Sequence, residues 1–211
     1  MNKRQEEQPL VIVIDDDDLV REAVCDLLRS IGLPTKPFAS VPEFLKSKIP
    51  EGPSCLVLDV RLPGLSGLDF QSELNKSNIQ IPIVFMTGHG DIPMTVRAMK
   101  GGAVDFLAKP FRDQDMLDAV QAAIERDRTR RQSATSTLKL RSAFDSLTSR
   151  EQEIMGFVTS GLMNKQIANE IGVSEVTVKF HRGNLMRKMG AKSIAELARM
   201  AEALGIRRTS K

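Results

Sequence analysis

Leu10-Val11-Ile12-Val13-Ile14-Asp15-Asp16-Asp17-Asp18 is the stretch on which the fold turns. Five aliphatic residues in a row, four of them β-branched, read as a short buried strand. The aspartates that follow cannot continue it. They mark its exit and lead into a helical pattern over Leu19–Ile31. The same alternation repeats along the chain. Strands are expected at Thr35–Phe38, Cys55–Leu58, Ile81–Met86 and Ala103–Leu107, the first of them weak. Helices are expected at Val41–Lys48, near Leu68–Asn75, at Ile92–Lys100 and from about Asp113. Five strands alternating with five helices predict a parallel sheet covered on both faces. At this size the topology most often built this way is the α/β flavodoxin-like doubly wound fold.

The chain has 211 residues, room for one large domain or two small ones. Charge divides unevenly. Residues 1–125 carry 13 Lys/Arg and 19 Asp/Glu, whereas residues 126–211 carry 17 and 8. An acidic module tied to a basic one suggests a polyanionic partner for the second. From Arg126 to Arg141 the chain is rich in Arg, Ser and Thr and nearly free of large apolar residues, which reads as a linker that extends the fifth helix before fraying. Beyond it only helical patterns occur. The expected division is 8–125, a linker at 126–142, and an all-α module at 143–208. Cys25 and Cys55 sit among apolar residues with no metal-ligand spacing, as buried thiols of a reducing compartment do. No apolar run reaches membrane length and residues 1–9 are polar, so no membrane association and a cytoplasmic location are expected.

Ligands of doubly wound sheets bind beyond the carboxyl ends of the strands. Strand one ends in Asp15–Asp18, strand three in Asp59, strand four in Thr87-Gly88, and strand five is followed by Lys109-Pro110. Taken singly, each is ordinary: four aspartates suit a solvated helix start with Asp17 or Asp18 as its cap, Lys109 a surface position, Thr87 a turn. Together they form a pocket in which clustered carboxylates need a hard cation such as Mg²⁺. There a carboxylate can act as nucleophile toward a phosphoryl group. Thr87 can donate a hydroxyl hydrogen bond to it, and Lys109 can pair with it as a point charge.

Ile14-Asp15-Asp16-Asp17, Leu58-Asp59-Val60-Arg61-Leu62-Pro63-Gly64, Met86-Thr87-Gly88-His89-Gly90 and Phe106-Leu107-Ala108-Lys109-Pro110-Phe111 together resemble the signature set of two-component receiver domains. The resemblance implies that Asp59 accepts phosphate from a partner histidine kinase. It implies Mg²⁺ held by Asp16, Asp59 and the backbone carbonyl of Arg61, with Asp15 acting through water. Thr87 and Lys109 then read the phosphate, and Phe106 is the aromatic that reorients with Thr87. A phosphatase class with an Asp nucleophile and Mg²⁺ needs a second Asp two residues on, where this chain has Arg61. No enzymatic turnover beyond slow self-dephosphorylation is expected. His89 reads as a surface loop residue.

Leu147-Thr148-Ser149-Arg150-Glu151 opens the helical module with a capping box. A helix follows to about Ser160. Asn164 is expected to cap a helix over Lys165–Ile171, Ser174 one over Glu175–Met189, and a last helix spans about Ser193–Leu204. Two short helices around a Gly turn make a helix-turn-helix candidate, a geometry that also serves roles without DNA. In the third helix Val178, Leu185 and Met189 share the core face, while Val176, Lys179, Phe180, Gly183 and Arg187 lie opposite. An apolar ring between cations is costly in water and useful in a major groove, where it can meet a thymine methyl.

Leu147–Glu151, Gly161-Leu162-Met163-Asn164-Lys165-Gln166-Ile167-Ala168 and Val176-Thr177-Val178-Lys179-Phe180-His181-Arg182 resemble the LuxR-type helix-turn-helix, and the whole chain resembles the FixJ/NarL group, closest to its FixJ branch. That implies DNA contacts by Lys165, Val176, Thr177, Lys179, Phe180, Asn184 and Arg187. It further implies homodimerisation on phosphorylation, binding to double-stranded promoter DNA, and activation of transcription with RNA polymerase as partner. Gly183 departs from relatives that carry a basic residue there.

Overall fold

The computed structural model describes residues 8–206. They divide between Arg131 and Gln132 into two compact units.

The first unit is built on β1 (Leu10–Ile14), β2 (Thr35–Phe38), β3 (Ser54–Asp59), β4 (Ile83–Thr87) and β5 (Asp105–Ala108). They form one parallel sheet in the order β2-β1-β3-β4-β5. This is the doubly wound order in which the chain reverses direction at β1/β3. The connecting helices are α1 (Asp18–Ser30), α2 (Val41–Leu45), α3 (Gly67–Lys76) and α4 (Ile92–Lys100), and α5 (Asp113–Asp145) follows β5. Side chains alternate across the strands. Val11, Val13, Cys55, Val57, Val84 and Met86 therefore meet Val24 and Leu28 of α1 and Met116, Val120 and Ala123 of α5. Ile12, Ile14, Leu56, Leu58, Ile83 and Phe85 meet the other face, with Phe44 of α2, Phe70 and Leu74 of α3, and Ala98 of α4. Both cysteines lie in the first layer, and burial drives the Cys55 thiol far above its usual range, with Asp127 adding to the effect.

Three boundaries differ from the periodicity by two residues or more. β4 starts at Ile83 because Pro82 has no amide proton; its carbonyl instead accepts from the Leu56 amide at 2.9 Å. β5 starts at Asp105 because the Ala103 amide closes the end of α4 on the Ala98 carbonyl. α2 stops at Leu45, three residues short of Lys48.

The segment 126–142 is helical, within the 33 residues of α5. Its first turn is fastened to the first unit. Asp127, with no exposed surface, accepts from the Ser54 amide at 2.9 Å, from Arg130 at 2.6 Å and from Arg131 at 2.6 Å. Arg131 also donates to the carbonyls of Glu51 and Pro50.

The second unit holds α6 (Ser149–Thr159), α7 (Asn164–Ile171), α8 (Glu175–Met189) and α9 (Ile194–Ala203). Its core joins Ile154, Met155 and Val158 of α6, Ile167 of α7, Val178, Leu185 and Met189 of α8, and Leu197 and Ala201 of α9. Among the described residues no helix is long and apolar enough to cross a membrane.

Candidate functional site

Parallel register brings the carboxyl ends of the central strands together: Ile14 lies beside Leu58, Asp59 beside Met86, and Thr87 beside Ala108. The residues just past each end share one pocket. One carboxylate oxygen from each of Asp15, Asp16 and Asp59 lies within 4.8 Å of the others. Asp15 is fully buried, Asp59 nearly so, and Asp16 is exposed. Lys109 Nζ donates to Asp15 Oδ2 at 2.5 Å and reaches Asp59 Oδ2 at 3.4 Å. The Lys109–Pro110 peptide is cis.

Local chemistry holds each group in place. Asp17 caps α1, accepting from the amides of Leu19 and Val20, and its own amide donates to Asp15 Oδ1 at 2.9 Å. Arg21 donates to the Asp15 carbonyl at 2.6 Å. Of the four aspartates, then, Asp15 and Asp16 face the pocket, Asp17 holds the helix, and Asp18 pairs with Arg21. The Arg61 amide donates to Asp59 Oδ1 at 3.3 Å. Burial raises the Asp59 pKa above its ordinary value. Lys109 and the Arg61 amide pull it back, and Asp15 adds to the rise. Thr87 is fully buried and its hydroxyl accepts from the His89 amide at 3.3 Å. Phe106 is half-buried, 6.2 Å from Phe85 between ring centroids. His89 is exposed in its loop.

Three carboxylates with oxygens this close repel unless a cation or protons intervene. Lys109 supplies one charge against three. The remaining imbalance and an all-oxygen donor set fit a hard divalent ion.

In the second unit Gly172, in the left-handed region at φ 66°, ends α7, and Ser174 caps α8 by accepting from the Thr177 amide. The start of α7 differs from the expected one. Its first residue is Asn164, and Met163 is the cap position, its amide donating to Gln166 Oε1 at 2.8 Å. The Asn164 side chain is engaged elsewhere, accepting from Arg182 Nη1 of α8 at 2.7 Å. That bond ties the two helices of the helix-turn-helix together. A second tie runs from Lys188 of α8 to buried Glu151 of α6 at 2.7 Å. Arg182 and Lys188 are site-supporting residues that periodicity did not reveal, since their partners are distant in sequence.

The outer face of α8 is as expected. Val176 is 78% exposed and Phe180 66%, with Lys179, Gly183 and Arg187 also exposed, and Lys165 exposed on α7. Thr177 and Asn184 are half-buried, the first bonded to Ser174 and the second accepting from Arg187. A β-carbon at Gly183 would meet nothing within 4 Å, so that position leaves the backbone open to a partner.

The sequence model described as the response regulator receiver domain matches residues 11–121, and that of the LuxR family of bacterial regulatory proteins matches residues 145–201. Nodulation protein W of Bradyrhizobium diazoefficiens is 59% identical over 197 residues, covering 93% of this chain and 87% of that protein. Transcriptional regulatory protein FixJ of Azorhizobium caulinodans is 44% identical over 198 residues, covering 93% of each. The solved structure of the response regulator StyR matches with a TM-score of 0.85 at 49% identity, over 92% of this chain and 98% of that one. An acidic, lysine-bridged pocket in one unit and an exposed, cation-flanked helix face in the other thus come together with likeness along nearly the whole chain, which belongs to the two-component response regulators of the FixJ kind and is a transcription regulator with a LuxR-type DNA-binding domain.

Proposed function

We propose that Asp59 accepts a phosphoryl group from the phosphohistidine of a partner sensor kinase. One Asp59 oxygen attacks phosphorus; the new O–P bond forms as the P–N bond breaks, and the electron pair returns to the kinase imidazole. Asp15, Asp16 and Asp59, with the Arg61 carbonyl, are the groups that would hold Mg²⁺, which when bound neutralises their charge and that of the transferring group. Lys109, within reach of Asp15 and Asp59, pairs with a phosphoryl oxygen. The Thr87 hydroxyl leaves the His89 amide to donate to another. The chain receives phosphate and turns nothing over beyond slow self-dephosphorylation.

Movement of Thr87 and Phe106 then shifts the population toward a dimerising surface on α4 and β5. Ile92, Val96 and Met99 of α4 stand exposed there, a concentration of apolar surface that a second copy would cover. Paired helix-turn-helix units place α8 in successive major grooves of promoter DNA, with Lys165, Lys179 and Arg187 near phosphates or base edges and Val176, Thr177, Phe180 and Asn184 against bases. The protein acts in the cytoplasm as an activator working with RNA polymerase.

The observation that carries this reading is the convergence of Asp15, Asp16 and Asp59 on Lys109. Acetyl phosphate with Mg²⁺ should label the wild-type chain and drive it to a dimer in sedimentation. Asp59→Asn should take no label and stay monomeric. Label or phosphodonor-driven dimerisation in that variant means another residue is the acceptor. Mobility shifts should weaken steeply with salt; a flat salt dependence would point to a protein-binding output module.

A further inference from the structure

The loop after β4 reads Thr87-Gly88-His89-Gly90-Asp91. Its two glycines have different surroundings. A β-carbon at Gly88 would meet nothing within 4 Å. A β-carbon at Gly90 would lie 2.9 Å from Phe106 Cε1, 3.5 Å from Phe106 Cζ and 3.1 Å from Thr87 Cγ2. The first of these is closer than carbon atoms approach without something moving. Thr87 has little freedom to give way, being fully buried on β4. Phe106 is half-buried, at the far side of a β4–β5 register pair with Phe85, and only its ring edge is in contact. The ring is therefore what any side chain at position 90 displaces. One residue on, Asp91 caps α4 by accepting from the Met94 amide at 2.7 Å. The Thr87 methyl and the Phe106 ring thus converge on the space left by one missing β-carbon, one residue before the cap of α4.

We infer that Gly90 is the positioning residue of the switch: the absence of a side chain there seats the Phe106 ring beside Thr87 and sets how strongly Thr87 is coupled to the α4–β5 surface. The inference rests on the phosphorylation reading above. Gly90 touches no phosphoryl group and acts through the ring. Its backbone lies outside the left-handed region, so alanine is admissible there and adds only its methyl.

The test uses the full chain as wild type, Gly88→Ala, Gly90→Ala, Phe106→Leu and the Gly90→Ala/Phe106→Leu double variant. Each is labelled with 4-fluorophenylalanine at its phenylalanines, nine in the wild type, and the Phe106 fluorine resonance is assigned by its loss in Phe106→Leu. Gly90→Ala should move that resonance and Gly88→Ala should not. Dimerisation constants are measured with and without acetyl phosphate. Gly90→Ala should change their ratio by about fivefold or more, and by less than about twofold in the Phe106→Leu background, since the group it collides with is gone. A resonance that stays in place in Gly90→Ala, or an undiminished Gly90→Ala effect without the ring, overturns the inference. If the wild type shows no phosphate-dependent ratio, the phosphorylation reading has failed instead, and the fluorine spectrum still decides the role of Gly90.

Discussion

At the scale of single residues the pocket was largely legible. Asp15, Asp16, Asp59, Thr87 and Lys109 end or follow strands, and strand ends are what an apolar run reveals. What the sequence hides is close approach. Gly67 opens α3, its amide donating to the Val60 carbonyl at 3.0 Å. A β-carbon on it would fall 2.3 Å from the Asp59 carbonyl oxygen and 3.2 Å from Leu58 Cγ. The obstacle is main chain on a buried strand, which cannot rotate away, so strand or helix has to shift. Gly67→Ala should therefore destabilise the first unit by about 1–3 kcal/mol in urea unfolding. It should also slow phosphoryl incorporation at Asp59, because the acceptor's own backbone moves. Unchanged labelling with lowered stability would mean that the strain is absorbed in α3 alone. Read from sequence, Gly67 is just one more glycine near a turn; its cause lies in a contact eight residues upstream.

At the scale of elements, legibility followed capping chemistry. Thr148 and Ser174 cap α6 and α8 as their side chains foretell, Asp17 caps α1, and Ser193, expected as the first residue of the last helix, is the cap of α9. Asn164 did not behave so, because Arg182 competes for its side-chain oxygen, and an eighteen-residue separation leaves no local pattern to read. The same holds for Glu151. Its capping box was visible, its role as the anchor of α8 was not. Burial pushes the Glu151 pKa up, but the Lys188 ammonium and the Thr148 amide outweigh it, leaving the carboxyl below the usual glutamate range. A pKa lowered on folding contributes stability above the ordinary range that is lost as pH falls through the folded-state value. Melting temperature should therefore drop on acidification below the ordinary carboxylate range. Glu151→Gln should melt lower at neutral pH and fall less steeply in acid. Parallel curves for the two proteins would show that the Lys188 tie contributes nothing to folding.

At the scale of the whole chain, composition announced two modules correctly in kind and obscured where one ends. The Arg-rich stretch from Arg126 reads as solvated linker because a buried carboxylate bound by arginines looks, in one dimension, like any charged helix. In three dimensions Asp127 satisfies the Ser54 amide at the start of β3, while Arg131 closes over the carbonyls of Pro50 and Glu51. Asp127→Ala removes a buried charge from its partners and should cost the first unit about 2–4 kcal/mol in chemical denaturation. A fragment ending at Glu125 should lose at least as much relative to one ending at Gln132, and equal stability of the two would dismiss the fastening. The fastening also sets an expectation for recombination. A gene exchange that trades the segment after the first unit for another should preserve the receiver only when its crossover falls beyond Arg131, within the residues of α5.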